Sequence, residues 1–280
     1  MGSITSRDVK VGAVSFHLNH SGDPRNEAVL WLHGSGPGAT GMSNWEAIIE
    51  QLAGDFYNLA PDVIGFGDSS HPNPPPQGIA AFTKLRVDTI LGLLDTLDLR
   101  KVNLVGNSMG GLISLCLVQK APERISRVIL MGSGGGPVTP SPELLKLVTF
   151  YNNPTTDSMA ELLSCFVYDP AFWGDKLKDI AAQRIPRATR DDVRRSHLAT
   201  FAPGQPPVLF SDEELAQIKH SVMVVHGRED RIIPVASSYH LAKHIPNAEL
   251  HIFPKTGHWL QIEQSQRFAN LARAFIKGEI

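Results

Sequence analysis

The sequence of 280 residues contains only two cysteines, no long apolar run and almost no excess of charge of either sign. Cys116 and Cys165 lie in the apolar segments SLCLV and LLSCFV, so we expect buried free thiols rather than a disulfide. No apolar run reaches the roughly 18 residues of a membrane-spanning helix. The formal net charge of -2 indicates neither a nucleic-acid partner nor an anionic membrane surface. Together these absences predict a cytoplasmic globular protein.

The N-terminal segment MGSITSRDVKVG lacks the apolar stretch of a secretory signal. Its start fits the loose pattern for N-myristoylation, but no basic patch supports that modification, and we do not expect it. No cluster of histidines and carboxylates has the spacing of a metal site, so no bound metal is expected either.

Short β-type runs alternate with longer helical patterns along most of the chain, as in AVLWLHG followed by NWEAIIEQLAG. This alternation predicts an α/β fold with a mostly parallel central sheet and helices on both faces. After the strand RVILMG, four helical patterns follow one another without a strand. We therefore predict a helical cap over 134–206, inserted after the sixth strand into a core domain made of 1–133 and 207–280.

One polar motif, Gly106-Asn107-Ser108-Met109-Gly110, stands between the apolar strand VNLVG and a helical pattern. Glycines two residues before and after the serine remove Cβ atoms that would clash in a sharp strand-to-helix turn. The start of the next helix favours negative charge that develops near the serine oxygen. The motif therefore predicts Ser108 as a nucleophile.

A serine nucleophile needs a base and an acid that orients the base. Of the eleven histidines, His258 in PKTGHWLQIE follows the last strand and precedes the last helix, at the same sheet edge as Ser108. Asp230 follows the strand VMVVHG, and its neighbour Glu229 is the alternative acid. The chain order Ser108, Asp230, His258 is typical of hydrolases with this serine motif.

Four other polar residues at strand ends are expected to be structural rather than catalytic. His33 opens a glycine-rich loop, and His226 ends a strand. Asp62 and Asp68 are expected to anchor the backbone of the loop that contains them.

The reaction also needs two backbone N–H donors for an oxyanion. One is expected from Met109, directly after the nucleophile. The other is expected from the loop HGSGPGATGMSNW, where Ser35 is the first candidate and Gly36 the second.

Four segments, HGSGPGATGMSNW, GNSMGG, HGREDRIIP and GHWLQIEQ, make the chain resemble the α/β-hydrolase fold superfamily over nearly its whole length. More narrowly, it resembles the meta-cleavage product hydrolases, which split carbon–carbon bonds in the degradation of aromatic compounds. The cap segments FVYDPAF and AAQRIPRA are similar to the cap of that family.

The resemblance implies a 6-substituted 2-hydroxy-6-oxohexa-2,4-dienoate as substrate, without a metal or organic cofactor. It implies that Arg184 of the cap binds the carboxylate, with Arg187 and Arg190 as alternatives. Asn44, Asn107 and Trp259 match substrate-binding positions of the family, and Ile232 belongs to the pocket for the 6-substituent. The family is commonly homo-oligomeric, so we expect an oligomer.

The family reaction implies that His258 moves a proton onto C5 of the dienol before Ser108 acts at the C6 ketone. An acyl-serine and a gem-diol formed by activated water are both open as intermediates. The first rival function is a carboxylester hydrolase that uses the same three residues. The second, a cofactor-free haloperoxidase or dehalogenase, is disfavoured because dehalogenases use an aspartate nucleophile and position 108 is serine. The third is a binding module without catalytic activity.

Overall fold

The computed structural model describes residues 3–137 and 139–280. The first two residues of the myristoylation pattern and Val138 of the expected cap lie outside the described residues. Eight strands form one sheet. They are β1 (Thr5–Val11), β2 (Val14–Ser21), β3 (Ala28–Leu32), β4 (Tyr57–Pro61), β5 (Val102–Asn107), β6 (Ile125–Met131), β7 (Ser221–Gly227) and β8 (Ala248–Phe253).

The sheet is mostly parallel, which confirms the predicted fold class. Its spatial order is β1-β2-β4-β3-β5-β6-β7-β8, and only β2 runs against its neighbours. The carboxyl ends of β3, β5, β6 and β7 therefore meet at one edge. A crevice at that edge is the usual place for a ligand in an open parallel sheet.

Eleven α-helices lie within the described residues. They are α1 (Gly41–Gln51), α2 (Ile79–Thr96), α3 (Met109–Lys120), α4 (Pro142–Val148), α5 (Thr156–Cys165), α6 (Leu177–Ala188), α7 (Asp191–Thr200), α8 (Asp212–Ala216), α9 (Ala236–His244), α10 (Leu260–Glu263) and α11 (Ser265–Lys277). None of the helices in these residues is long and apolar enough to cross a membrane.

The central strands are apolar on both sides because both faces of the sheet are covered. In β3, Leu30 and Leu32 pack into a core that also receives side chains of α2, α3, α8 and α9. The alternate residues Val29 and Trp31 pack into a second core with side chains of α1 and α11. The alternation of side chains along β3 thus divides the interior into two layers.

The helices α4 to α7 all lie between β6 and β7 in the chain. They bury a third apolar cluster, including Leu147, Phe150 and Leu163, which also contains Ile232 and Trp259 of the sheet edge. This segment corresponds to the predicted cap, whose placement over the carboxyl ends of the strands stays a prediction. The bounds 134 and 206 stay a prediction.

The two cysteines are free, as expected: Cys165 is buried and Cys116 is partly buried. Burial raises the pKa of the Cys116 thiol to about 11, so this cysteine is an inert apolar side chain at neutral pH.

Candidate active site

Ser108 lies in a sharp turn between β5 and α3. Its φ of 57° is in the left-handed region, which is uncommon for a residue other than glycine. The turn is fixed by hydrogen bonds: the Ser108 N–H donates to the Met131 carbonyl at 2.9 Å, and the Ser108 carbonyl accepts from the Gly134 N–H at 3.1 Å. The backbone thus holds the serine at the carboxyl edge of the sheet in a strained, well-defined conformation.

His258 and Asp230 form the second part of the site. His258 Nδ1 lies 2.6 Å from Asp230 Oδ2, and both side chains are almost fully buried. In a neutral ring that donates from Nδ1, Nε2 is left as a proton acceptor. Glu229, the alternative acid, instead accepts hydrogen bonds from Arg228 Nε and the Thr256 N–H. The geometry therefore favours Asp230.

The segment from Met131 to Gly134 separates the serine turn from this pair. A Cβ atom at Gly132 would lie 3.1 Å from His258 Nδ1 and 3.3 Å from Asp230 Oδ2. In the described part of the chain, no hydrogen bond joins the Ser108 hydroxyl to His258. In enzymes without bound substrate this contact is often long and tightens only in the complex.

The Asp230 carboxylate is surrounded by four donors. Its Oδ1 accepts from the N–H groups of Ile232 and Ile233 at 2.8 and 3.0 Å. Its Oδ2 lies 3.1 Å from His226 Nε2, besides the contact to His258. Burial by itself would raise the pKa of Asp230, but the two histidines outweigh it and hold this pKa well below its usual range. Asp230 is therefore ionised at neutral pH and orients His258.

His226 was expected only to pack at the end of β7, and the structure gives it a more specific place. It is fully buried, and its Nδ1 lies 2.6 Å from Ser238 Oγ. Its Nε2 approaches both the Ile233 carbonyl and Asp230. His226 thus contacts the same carboxylate oxygen, Asp230 Oδ2, as His258 does.

The loop after β3 carries the predicted oxyanion donors. Ser35 and Met109 line the same cavity as Ser108. As the first residue of α3, Met109 has a backbone N–H with no partner inside the helix. Gly36 lies farther along the loop, where a Cβ atom would be 3.6 Å from an Arg184 nitrogen. The arrangement thus favours Ser35 over Gly36 as the second donor.

His33 fixes the start of this loop, which agrees with the expected structural role. The Val63 N–H donates to its Nε2 at 2.9 Å, so Nδ1 carries the proton and donates to the Gly34 carbonyl at 2.8 Å. Burial lowers the pKa of His33 to about 4, although the hydrogen bond to the Gly34 carbonyl by itself would raise this pKa. The ring is therefore neutral at physiological pH.

This burial predicts an acid-sensitive fold. Between pH 6.5 and 4 the unfolded chain binds a proton on His33 that the folded chain excludes, so the free energy of unfolding falls as the pH falls. The loss reaches about 3 kcal/mol below pH 4. Urea unfolding at several pH values measures it, and a His33→Gln variant should show a flatter dependence. An equal dependence in both proteins would contradict this origin.

Asn44 and Asn107 make hydrogen bonds to the backbone, and their expected contacts with a substrate stay a prediction. Asn44 Oδ1 accepts from the Gly34 N–H at 2.9 Å, so this side chain supports the loop after β3. Asn107 is completely buried, and its Nδ2 donates to the Met131 carbonyl at 3.2 Å. If the Asn107 amide donated to a substrate, it would first have to break its hydrogen bond to the Met131 carbonyl. Sequence position alone did not reveal these backbone partners.

The three candidate arginines of the cap have different surroundings. Arg190 pairs with Asp68 at 2.6 Å and with Asp192 at 2.8 Å. Arg187 is exposed and lies 3.9 Å from Asp68. Asp68 was expected to anchor its own loop, and this expectation is wrong, because its carboxylate pairs with the cap. Asp62, in contrast, accepts from the N–H groups of Gly41 and Asp68, as expected of a loop anchor.

Arg184 has no carboxylate partner among the residues that the structure describes. Its Nε donates to the Pro37 carbonyl at 2.8 Å, and its guanidinium carbon lies 5.8 Å from the centre of the Trp259 ring. Burial lowers the pKa of Arg184 to about 10, so it stays charged at neutral pH. Trp259 stacks on Phe166 of the cap at 4.3 Å and follows His258 directly.

A mostly apolar cavity of about 230 Å³ opens beside Ser108. Its wall includes Leu112, Phe201, Leu209 and Ile233. Ile232, which was expected here together with its neighbours, is buried in the apolar cluster of the cap. Its neighbour Ile233 belongs to the same cluster and also lines the cavity.

Two residues of the site were missed at the sequence level. Arg86 is fully buried under Met109, donates to the Ile64 carbonyl and Thr200 Oγ1, and packs on Phe82. Its position four residues after Phe82, on the apolar side of α2, was the available signal.

Glu263 is the other missed residue. Its two carboxylate oxygens accept from the Tyr168 N–H of the cap and the Gly257 N–H beside His258, at 2.8 and 2.7 Å. It therefore links the cap to the loop that carries the predicted base.

Comparison with known proteins shows the family to which the chain belongs. The alpha/beta hydrolase fold family matches residues 27–265. A 2-hydroxymuconate semialdehyde hydrolase of Pseudomonas sp. strain CF600 is 37% identical over 276 residues, which cover 96% of this chain and 93% of that protein. The solved 2-hydroxy-6-oxo-6-phenylhexa-2,4-dienoate hydrolase of Rhodococcus sp. strain RHA1 is 38% identical and superimposes with a TM-score of 0.94 over 99% of this chain and 100% of that chain.

A third similar protein is the solved serine hydrolase of the polyaromatic hydrocarbon-degrading bacterium Cycloclasticus zankles. It is 38% identical and gives a TM-score of 0.96, with 99% of each chain covered. The fold and these matches show that the chain is an α/β hydrolase. The chain belongs to the meta-cleavage product hydrolases within that fold family.

Proposed function

We propose that this protein hydrolyses the carbon–carbon bond between C5 and C6 of a 6-substituted 2-hydroxy-6-oxohexa-2,4-dienoate. The products are 2-hydroxypenta-2,4-dienoate and a carboxylic acid. The proposal rests on the family and on one observation: the partly buried Arg184 has no carboxylate partner among the described residues and lies beside Trp259 and Gly36. An apolar cavity lies next to Ser108. A substrate with an anionic end and an apolar end fits this polarity.

His258 is the proposed proton carrier. It moves the proton of the 2-hydroxyl to C5, which turns the dienol into a ketone and makes the C5 fragment a stabilised carbanion-type leaving group. The ionised Asp230 supports this step because it stabilises the positive charge that His258 acquires.

Ser108 then acts at the C6 carbonyl, and the N–H groups of Ser35 and Met109 stabilise the oxyanion. In one route the serine oxygen attacks, the C5–C6 bond breaks, and water hydrolyses the acyl-serine. In the other route, activated water adds directly and gives a gem-diol. Rapid quenching during turnover followed by mass spectrometry decides between them, since only the first route adds the acyl group to the peptide of Ser108.

An Arg184→Ala variant tests the proposal. Loss of a charge-assisted contact to the dienoate carboxylate is expected to lower kcat/KM for the dienoate by about 100-fold. Turnover of a neutral p-nitrophenyl ester should change by less than about 3-fold, because that substrate carries no carboxylate. Loss of dienolate colour and release of p-nitrophenol measure the two reactions.

Arg187→Ala is the matched control, since this arginine lies on the same helix but is exposed and close to Asp68. It is expected to leave both reactions near the wild-type rate. Equal losses on both substrates in Arg184→Ala would favour the carboxylester hydrolase instead. Wild-type protein that turns over the ester but none of the dienoates in a panel of 6-substituents would refute the proposed function.

The family resemblance also supports two further parts of the proposal, a cytoplasmic location and a homo-oligomer. Size-exclusion chromatography with light scattering measures the oligomeric state. A monomer at micromolar concentration would contradict the second part.

A further inference from the structure

A second group of polar side chains lies away from Ser108, between α8 and α9. No metal site was expected from the sequence, but the fold brings Asp212, His240 and His244 together. Their nearest ligand atoms all lie within 4.8 Å of one another, and no other such group of three occurs in residues 3–137 and 139–280. We propose that these three side chains bind one divalent transition metal ion, with Zn²⁺ as the occupant.

The distances fit a shared ion better than a close ion pair. His240 Nε2 lies 3.3 Å from Asp212 Oδ1, and His244 Nδ1 lies 3.6 Å from Asp212 Oδ2. A strong charge-assisted hydrogen bond is shorter, as is the 2.6 Å contact of His258 with Asp230. Around tetrahedral Zn²⁺, with bonds of about 2.0–2.1 Å, neighbouring ligand atoms are about 3.3 Å apart.

The two histidines are separated by one helical turn, so both rings project from the same side of α9. Their ring centres are 4.5 Å apart. Two imidazoles with one carboxylate select zinc and similar transition metals over Mg²⁺ and Ca²⁺, which prefer oxygen ligands alone. The side chains are 55%, 23% and 20% exposed for Asp212, His240 and His244, so an ion can enter and keep a water molecule.

The backbone under this group is well fixed. Leu215 of α8 and Leu241 of α9 are fully buried in the same core. Ser211 and Glu214 cap the start of α8 through reciprocal hydrogen bonds, which fixes Asp212 as its first helical residue. Such a platform holds ligands within the small tolerance that a metal requires.

The site would connect to the cavity beside Ser108. Val208 and Leu209 line that cavity, and the Phe210 N–H donates to the Gly135 carbonyl. Asp212 follows two residues later. A metal ion that links Asp212 to α9 therefore restricts the movement of the segment that forms this cavity wall.

Calorimetric titration of Zn²⁺ into tag-free, chelator-treated protein at pH 7.5 tests the proposal. We expect one bound equivalent of Zn²⁺ per chain. His240→Gln and His244→Gln should each weaken binding at least about 10-fold, because even the loss of a group that only orients a metal ligand costs about that much. Co²⁺ in place of Zn²⁺ should give visible absorption bands that the two variants lose.

His251→Gln is the matched control, because His251 is also half-buried and lies 3.6 Å from a single carboxylate, Glu249. It should bind Zn²⁺ as the wild type does. Zn²⁺ should raise Tm in the wild type and the control but not in the other two variants, and metal-free Tm values check that all four proteins are folded. Absence of a bound equivalent in the wild type, or binding that His240→Gln and His244→Gln leave unchanged, would overturn the proposal.

Discussion

A Ser108→Ala variant is expected to lose dienoate turnover by about 1,000-fold or more, with little change in KM. The hydroxyl is the group that the proposed reaction uses, while the surrounding backbone does not depend on it. The Ser108 N–H and carbonyl make the hydrogen bonds that fix the turn, and alanine keeps both. Steady-state rates followed by loss of dienolate colour measure the effect.

Ser114→Ala provides the control for this prediction. Ser114 is fully buried on α3, the helix that follows Ser108, and its hydroxyl donates to the Gly110 carbonyl at 2.9 Å. Its loss removes one neutral hydrogen bond, worth about 1 kcal/mol of stability, and should leave turnover within about 3-fold. Wild-type activity in Ser108→Ala would refute the nucleophile, and a wild type as inert as Ser108→Ala on every substrate would favour the binding module.

A Gly110→Ala variant is expected to be strongly destabilised. A Cβ atom at this position would lie 2.1 Å from the Leu32 carbonyl oxygen and 2.9 Å from that of His33. Both are backbone atoms of β3 and its loop, so α3 would have to move away from the sheet. Such overpacking costs about 3 kcal/mol, which lowers Tm by about 5 °C in a chain of this size.

Gly54→Ala is the control, because a Cβ atom there would meet nothing within 4 Å. Its Tm should stay within about 2 °C of the wild type. Thermal unfolding followed by circular dichroism compares the three proteins. If Gly110→Ala and Gly54→Ala were equally stable, β3 and α3 could not approach as closely as the structure indicates.

Most of the fold was predictable because its signals are local. The buried strand β3 is a continuous apolar run, β5 carries the apolar residues Val102, Leu104 and Val105, and the cap helices show the 3.6-residue period. The strand β1 was missed because it is an edge strand in which only Val9 is buried. The strand β1 is held in place by antiparallel pairing with β2, which its own sequence pattern does not indicate.

The sequence by itself determined the α/β alternation and the turn at Ser108, and it predicts the order of the nucleophile, acid and base. These features follow from residue types at fixed spacing within one segment. Only the tertiary structure decided that Asn107 donates to Met131, that Asp68 pairs with Arg190, and that two histidines share Asp230.

The same limit applies to Asp212, His240 and His244. The two histidines show helical spacing in the sequence, but their carboxylate comes from another helix. Contacts of this kind depend on how distant segments pack, and hydrophobic periodicity fixes which face of an element is buried without fixing which polar side chains meet across it.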